Sequence, residues 1–227
     1  MIRTILFDLD GTLVDTEQLH YAAFTGILRP EGVELSREEY FSRLIGYNDH
    51  DCFEVVLKES RNDASAAHIE ALMARKAASY QEMIRNRDVM YPGAADFVRE
   101  CAARFPLMIV TGTLRAEAEM ILRRASLRDL FVDVVAAEDV EHGKPEPEGF
   151  IAALGRLGFL LRQRPAIVPA ESLVIEDTSA GIEAARRAGM RVLALKHTAP
   201  ESDLAGADII CESFRDTNLD DILRRLA

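Results

Sequence analysis

The chain is short of basic charge: 27 Lys and Arg face 38 Asp and Glu among 227 residues, a net charge of −11. That balance disfavours polyanionic partners, so neither nucleic acid nor an anionic membrane surface is expected to bind. A small phosphate remains compatible, because one local cation can overrule the global sign. Cysteine is scarce too. Cys52, Cys101 and Cys211 lie far apart and form no CxxC, and histidines do not cluster. A disulfide framework and a structural zinc site are thereby disfavoured, and a reducing compartment is favoured. No apolar run approaches the ~18 residues of a membrane span. The run at Ile5-Leu6-Phe7 is too short for a secretory leader, so a cytoplasmic location is expected. Repeats and low-complexity tracts are missing, and no GxGxxG follows a strand-like run, which disfavours a dinucleotide site.

What is present is an ordinary globular composition, 48% hydrophobic and 29% charged. The length suits one large domain, or one carrying a smaller one. Six short apolar runs read as buried strands: Thr4–Phe7, Leu107–Val110, Val132–Ala136, Ser172–Ile175, Val192–Leu195 and Asp208–Cys211. Helical patterns separate most of them, at Ala94–Arg104, Arg115–Ala125, Pro147–Leu157 and Ser179–Ala188. The alternation predicts an α/β fold, a Rossmann-like parallel sheet with helices on both faces. One interval breaks the rhythm. Residues 16–86 carry no convincing strand, and Ala64–Arg85 sets Ile69, Leu72, Met73, Tyr80, Met83 and Ile84 on one helical stripe. An all-α insert over 16–86, inside a core of residues 1–15 and 87–227, is expected.

In open parallel sheets, ligands gather at the carboxyl ends of the strands. The first run closes with Asp8-Leu9-Asp10-Gly11-Thr12, the second with Thr111-Gly112-Thr113, and the fourth with Glu176-Asp177-Thr178-Ser179-Ala180-Gly181. Lys144 stands in Gly143-Lys144-Pro145-Glu146-Pro147, just before a helix. Each element alone has a plain explanation: a solvated turn, a Thr or Asp helix cap, a surface lysine. Together they do not. Four carboxylates at one sheet edge repel one another unless a cation sits among them, and an all-oxygen set with open positions suits Mg²⁺. Thr111, the Gly112 amide and Lys144 then make an anion clamp.

These four elements, in this order, resemble the haloacid dehalogenase-like hydrolase superfamily, and the resemblance covers nearly the whole chain. The insert straight after the first motif resembles its helical-cap subgroup, in the branch of β-phosphoglucomutase and sugar phosphatases. The resemblance implies hydrolysis of a small phosphorylated metabolite, such as a sugar or polyol phosphate. It implies Asp8 as nucleophile, Asp10 as general acid and base, and phosphate held by Thr111, Gly112 and Lys144. Mg²⁺ would lie on Asp8, the main-chain oxygen of Asp10 and Asp177, with Glu176 holding its waters. Dehalogenases of the superfamily need no second acid, so Asp10 argues for phosphate chemistry. A monomer or weak dimer is expected.

In the insert, Lys76 falls in the middle of the apolar stripe, where it either snorkels or faces an anion. The resemblance favours the anion. A lone His such as His20 is more often a core histidine, and the resemblance raises a pocket role to equal standing; by the same resemblance Gly46 lies in the expected substrate loop. After Gly46, the resemblance to β-phosphoglucomutase calls for an arginine to hold a second phosphate. The stretch reads Tyr47-Asn48-Asp49 instead, and Asp49 would repel one. Hydrolysis is therefore favoured over a phosphomutase. A signalling receiver module, the remaining alternative, would need no cap. The long connection 159–171 is expected at the sheet edge opposite the site.

Overall fold

The computed structural model describes residues 1–45, 47–162 and 166–227. Residues 163–165 of the long connection, and Gly46 in the expected substrate loop, lie outside them. The described chain divides into two compact units, one of residues 1–15 and 90–227, the other of residues 16–89.

The first unit is built on six parallel strands: β1 (Thr4–Phe7), β2 (Leu107–Val110), β3 (Phe131–Val135), β4 (Ser172–Glu176), β5 (Arg191–Leu195) and β6 (Ile209–Cys211). Their order is β3-β2-β1-β4-β5-β6. Every residue of β1, β2 and β4 is buried, as unbroken apolar runs require when helices cover both faces. The expected strands differ from these only at their ends, by one residue. The flanking helices are α5 (Ala94–Ala102), α6 (Arg115–Arg124), α7 (Glu148–Leu161), α8 (Ser179–Arg187) and α9 (Leu219–Arg225). Helix α7 runs four residues past the expected Leu157, because Gly158 does not stop it. It ends instead where Arg162 turns left-handed, at φ +48°.

Strand order is what assembles the site. β1 lies between β2 and β4, with Phe7 paired to Ile109 on one side and Ile175 on the other. The Asp8 amide donates to the Ile175 carbonyl at 3.0 Å, extending the ladder by one bond. Residues 8 and 176 are therefore held side by side by backbone. The connection before β4 returns to the opposite end, where Arg3 donates to the Ala166 carbonyl and pairs with Glu171 at 3.0 Å.

The second unit is helical: α1 (Glu17–Leu28), α2 (Arg37–Glu39), a π-helical turn (Tyr40–Leu44), α3 (Asp49–Glu59) and α4 (Ala66–Ile84). Phe24, Leu28, Tyr40, Phe53, Leu57, Ile69 and Leu72 form its core. Phe24 and Phe53 pack with ring centroids 4.9 Å apart. Asn48 caps α3 by accepting the Asp51 amide at 2.9 Å, so Asp49 opens a helix.

Candidate active site

Two strand ends, those of β1 and β4, deliver the acidic residues, and the structure separates the four expected carboxylates into three and one. Oxygens of Asp8, Glu176 and Asp177 all lie within 4.8 Å of one another, and all three residues are buried. The Asp10 side chain goes elsewhere. Its Oδ2 accepts from Thr113 Oγ1 and, at 3.5 Å, from Thr111 Oγ1. Thr111 also accepts the Thr113 amide at 3.0 Å, so its oxygen braces the turn after β2. The helix-cap explanation for this segment fails: α6 is capped at Leu114 without a side-chain bond, and the Arg115 amide donates to Glu138. Gly112 sits half-buried between the two threonines.

Lys144 bridges two of the carboxylates. Its Nζ donates to Asp8 Oδ1 and, at 2.6 Å, to Glu176 Oε1. Glu176 is more heavily engaged than its sequence position indicates. Its Oε2 accepts the Asp177 amide at 2.9 Å, the Thr178 amide at 3.0 Å and the Thr178 hydroxyl at 3.0 Å. Glu176 therefore shapes the loop after β4 as well as facing the cluster. Thr178, not Asp177, caps α8, accepting the Gly181 amide at 3.1 Å. Gly181 lies so close that a Cβ there would come within 1.8 Å of Glu176 Oε1.

Asp177 is held by hydroxyls on both oxygens: Thr12 donates to Oδ1 at 2.6 Å and Thr198 to Oδ2. Three polar residues were missed by the sequence reading: Thr113, His197 and Thr198. The signal for the last two was the strand-end rule itself, applied to β5, which closes in Lys196-His197-Thr198.

Burial dominates the electrostatics. It pushes the Asp8 carboxyl up; Lys144 pulls it down, Glu176 and Asp10 push it up again, and the balance is about 8. Asp177 is raised well above the carboxylate range by burial, then by Glu176 and Asp8, against the pull of its two hydroxyl donors. Burial alone would lower the Lys144 ammonium, but Asp8 and Glu176 outweigh it and hold its pKa above the ordinary value. One ammonium thus serves a cluster of three buried carboxyl groups. A donor set of oxygens alone, raised by burial, fits a hard divalent cation such as Mg²⁺.

In the helical unit, Lys76 is fully buried and does not snorkel. Its Nζ donates to Asp49 Oδ1 at 2.7 Å and lies 2.8 Å from His20 Nδ1. An ammonium only donates, so Nδ1 accepts and the His20 ring carries its proton on Nε2. The ring stacks on Tyr80 at 4.1 Å. The anion opposite Lys76 is thus Asp49 of the same unit, and Asp49, expected to repel phosphate, is spent on that pair.

The model of the family described as haloacid dehalogenase-like hydrolase matches residues 5–195, and the chain belongs to that family. It is 31% identical over 186 residues to fructose-1-phosphate phosphatase YqaB of Escherichia coli, covering 82% of this chain and 92% of that protein. It is 27% identical to β-phosphoglucomutase of Bacillus subtilis, with 96% and 93% covered. Among solved structures, CbbY of Rhodobacter sphaeroides in complex with phosphate superposes with a TM-score of 0.81 at 28% identity, with 94% and 95% covered. The chain is accordingly an enzyme of the phosphatase type, on an α/β fold with a six-stranded parallel sheet.

Proposed function

We propose that this enzyme hydrolyses a small phosphomonoester, a sugar or polyol phosphate, through an aspartyl-phosphate on Asp8. The observation that carries the reading is the convergence of Asp8, Glu176 and Asp177 within 4.8 Å, with Lys144 on two of them. Asp8, the main-chain oxygen of Asp10 and Asp177 would hold Mg²⁺, supported by Glu176. The ion, when bound, supplies positive charge to the phosphoryl oxygens and keeps Asp8 ionised.

An Asp8 carboxylate oxygen forms a bond to phosphorus as the bond from phosphorus to the alcohol oxygen breaks. Asp10 passes its proton to that departing oxygen. Because Thr113 and Thr111 approach Oδ2, the transferred proton is assigned to Oδ1. Asp10, now a carboxylate, takes a proton from the water that attacks phosphorus. Inorganic phosphate leaves and Asp8 returns as a carboxylate. Lys144, the Thr111 hydroxyl and the Gly112 amide offset charge on the phosphoryl oxygens, each such group contributing about 10²–10³ in rate.

The named relatives support the substrate class: one is a fructose-1-phosphate phosphatase. The β-phosphoglucomutase relative favours a second reading, a phosphomutase using the same aspartyl-phosphate. The stretch after Gly46 reads Tyr47-Asn48-Asp49 and carries no arginine for a second phosphate, which supports a substrate with one phosphate and therefore hydrolysis. A panel of hexose, pentose and polyol phosphates, assayed for phosphate release with and without Mg²⁺, tests the proposal. Release requires Mg²⁺ and vanishes in Asp8→Asn. Full activity in that variant refutes Asp8 as nucleophile; an isomer formed in place of phosphate, with a bisphosphorylated sugar as activator, selects the mutase.

A further inference from the structure

Beyond β5 the chain turns through Lys196, His197 and Thr198, outside all four motifs that carry the proposed chemistry. This segment nevertheless grips the acidic cluster. Thr198 donates to Asp177 Oδ2 while Thr12 donates to Oδ1. A single donor would leave a carboxylate free to rotate about it, whereas donors on both oxygens fix its plane. Each oxygen has a second lone pair, so a carboxylate held in this way still has electrons to offer a cation.

Thr198 is itself anchored. The ring of His197 stacks on Tyr91 with centroids 3.9 Å apart, and its Nδ1–H donates to the Gly11 carbonyl at 3.1 Å. There is no spare volume at the junction: a Cβ on Gly11 would come within 2.3 Å of Asp177 Oδ2 and 2.7 Å of Thr198 Oγ1. Ends of β1, β4 and β5 are therefore locked into one corner.

We propose that Thr198 is a positioning residue that orients the Asp177 carboxylate for Mg²⁺ and thereby sets the affinity of the acidic cluster for that ion. The inference rests on the reading of Asp177 as a ligand. It predicts an effect on metal uptake first, and on turnover only through it.

The test measures the melting temperature of the chelator-stripped full chain against Mg²⁺ concentration, with no substrate present. Thr198→Val keeps the shape and removes the donor; its apparent Mg²⁺ affinity falls about ten- to a hundredfold, as for other groups that orient metal ligands. Thr198→Ser restores the hydroxyl and recovers most of that affinity. In phosphatase assays, kcat of Thr198→Val returns toward wild type at saturating Mg²⁺ while the Mg²⁺ requirement stays shifted. If Thr198→Val does not fold, Thr198→Ala, which also lacks the donor and fits in less space, carries the same readouts. Wild-type Mg²⁺ affinity in the hydroxyl-less variant, or a serine variant as weak as valine, overturns the proposal and leaves the metal reading of Asp177 standing. A wild-type chain that takes up no Mg²⁺ overturns both.

Discussion

Stripping divalent metal should make this enzyme less stable as pH rises, the reverse of what paired carboxylates usually do. The Asp8 carboxyl titrates near 3.8 when exposed and is pushed up to about 8 by burial, against the pull of Lys144. Between those values the folded chain keeps a proton that the unfolded chain has lost. Unfolding then releases a proton, and stability falls with increasing pH. Each pH unit inside the window is worth ~1.4 kcal/mol, so Asp8 alone removes on the order of 4 kcal/mol between pH 5 and pH 8. Asp177, also raised by burial, acts in the same direction. Lys144 stays charged throughout, its ammonium held above its ordinary value. At ~2–4 °C per kcal/mol for a chain of this size, the melting temperature in chelator drops by roughly 10 °C over that range. Mg²⁺ at a hundred times its dissociation constant returns about 2.7 kcal/mol and flattens the slope, since the ionised carboxylates then face a cation. Melting curves at pH 5, 6, 7 and 8, with chelator or with Mg²⁺, measure both effects. A melting temperature in chelator that is level or rising over this interval refutes the argument that buried, under-compensated carboxyl groups define the site.

Lys144→Met removes the cation between Asp8 and Glu176; turnover should fall by about 10²–10³, and the pH slope in chelator should steepen. Gly181→Ala would favour α8 by propensity, yet its Cβ would meet the Glu176 carboxylate; Mg²⁺ affinity in a titration should drop about tenfold or more, and an unchanged affinity would show that Glu176 shifts at no cost. In the helical unit, Lys76→Met leaves Asp49 buried without its partner and should cost about 3–5 kcal/mol in denaturant unfolding. The double variant Lys76→Met with Asp49→Leu should recover most of that loss; equal instability of single and double variants would place the cost in packing rather than charge.

The sheet was legible because its strands are buried on both faces, so Thr4–Phe7 and Leu107–Val110 stand out as apolar runs with no help from alternation. Only their ends drifted, where burial rather than hydrophobicity ends the strand: Glu176 belongs to β4 although it is charged. The acidic cluster was legible for a related reason. Asp8 and Glu176 each follow an apolar run, and parallel strands put such residues on one edge. What escaped was everything defined by pairing across distance. Lys76 and Asp49 are 27 residues apart, on helices whose packing no local pattern dictates. Thr111 and Thr113 look alike in sequence, and only the turn after β2 brings both hydroxyls to Asp10, Thr113 the closer of the two. Thr198 lies 21 residues beyond Asp177, following a strand whose closing residues carry no acid to draw notice.

The hydrogen bonds that hold Asp8, Asp10, Asp177 and Lys144 all lie within the unit of residues 1–15 and 90–227, and three of them join its two stretches. The inserted segment leaves and re-enters that unit at two points, Val14 and Met90, which are themselves bridged to each other. A different insert spliced between those two bridged residues would therefore leave every one of these hydrogen bonds in place, and one contiguous stretch of gene could be exchanged without touching them.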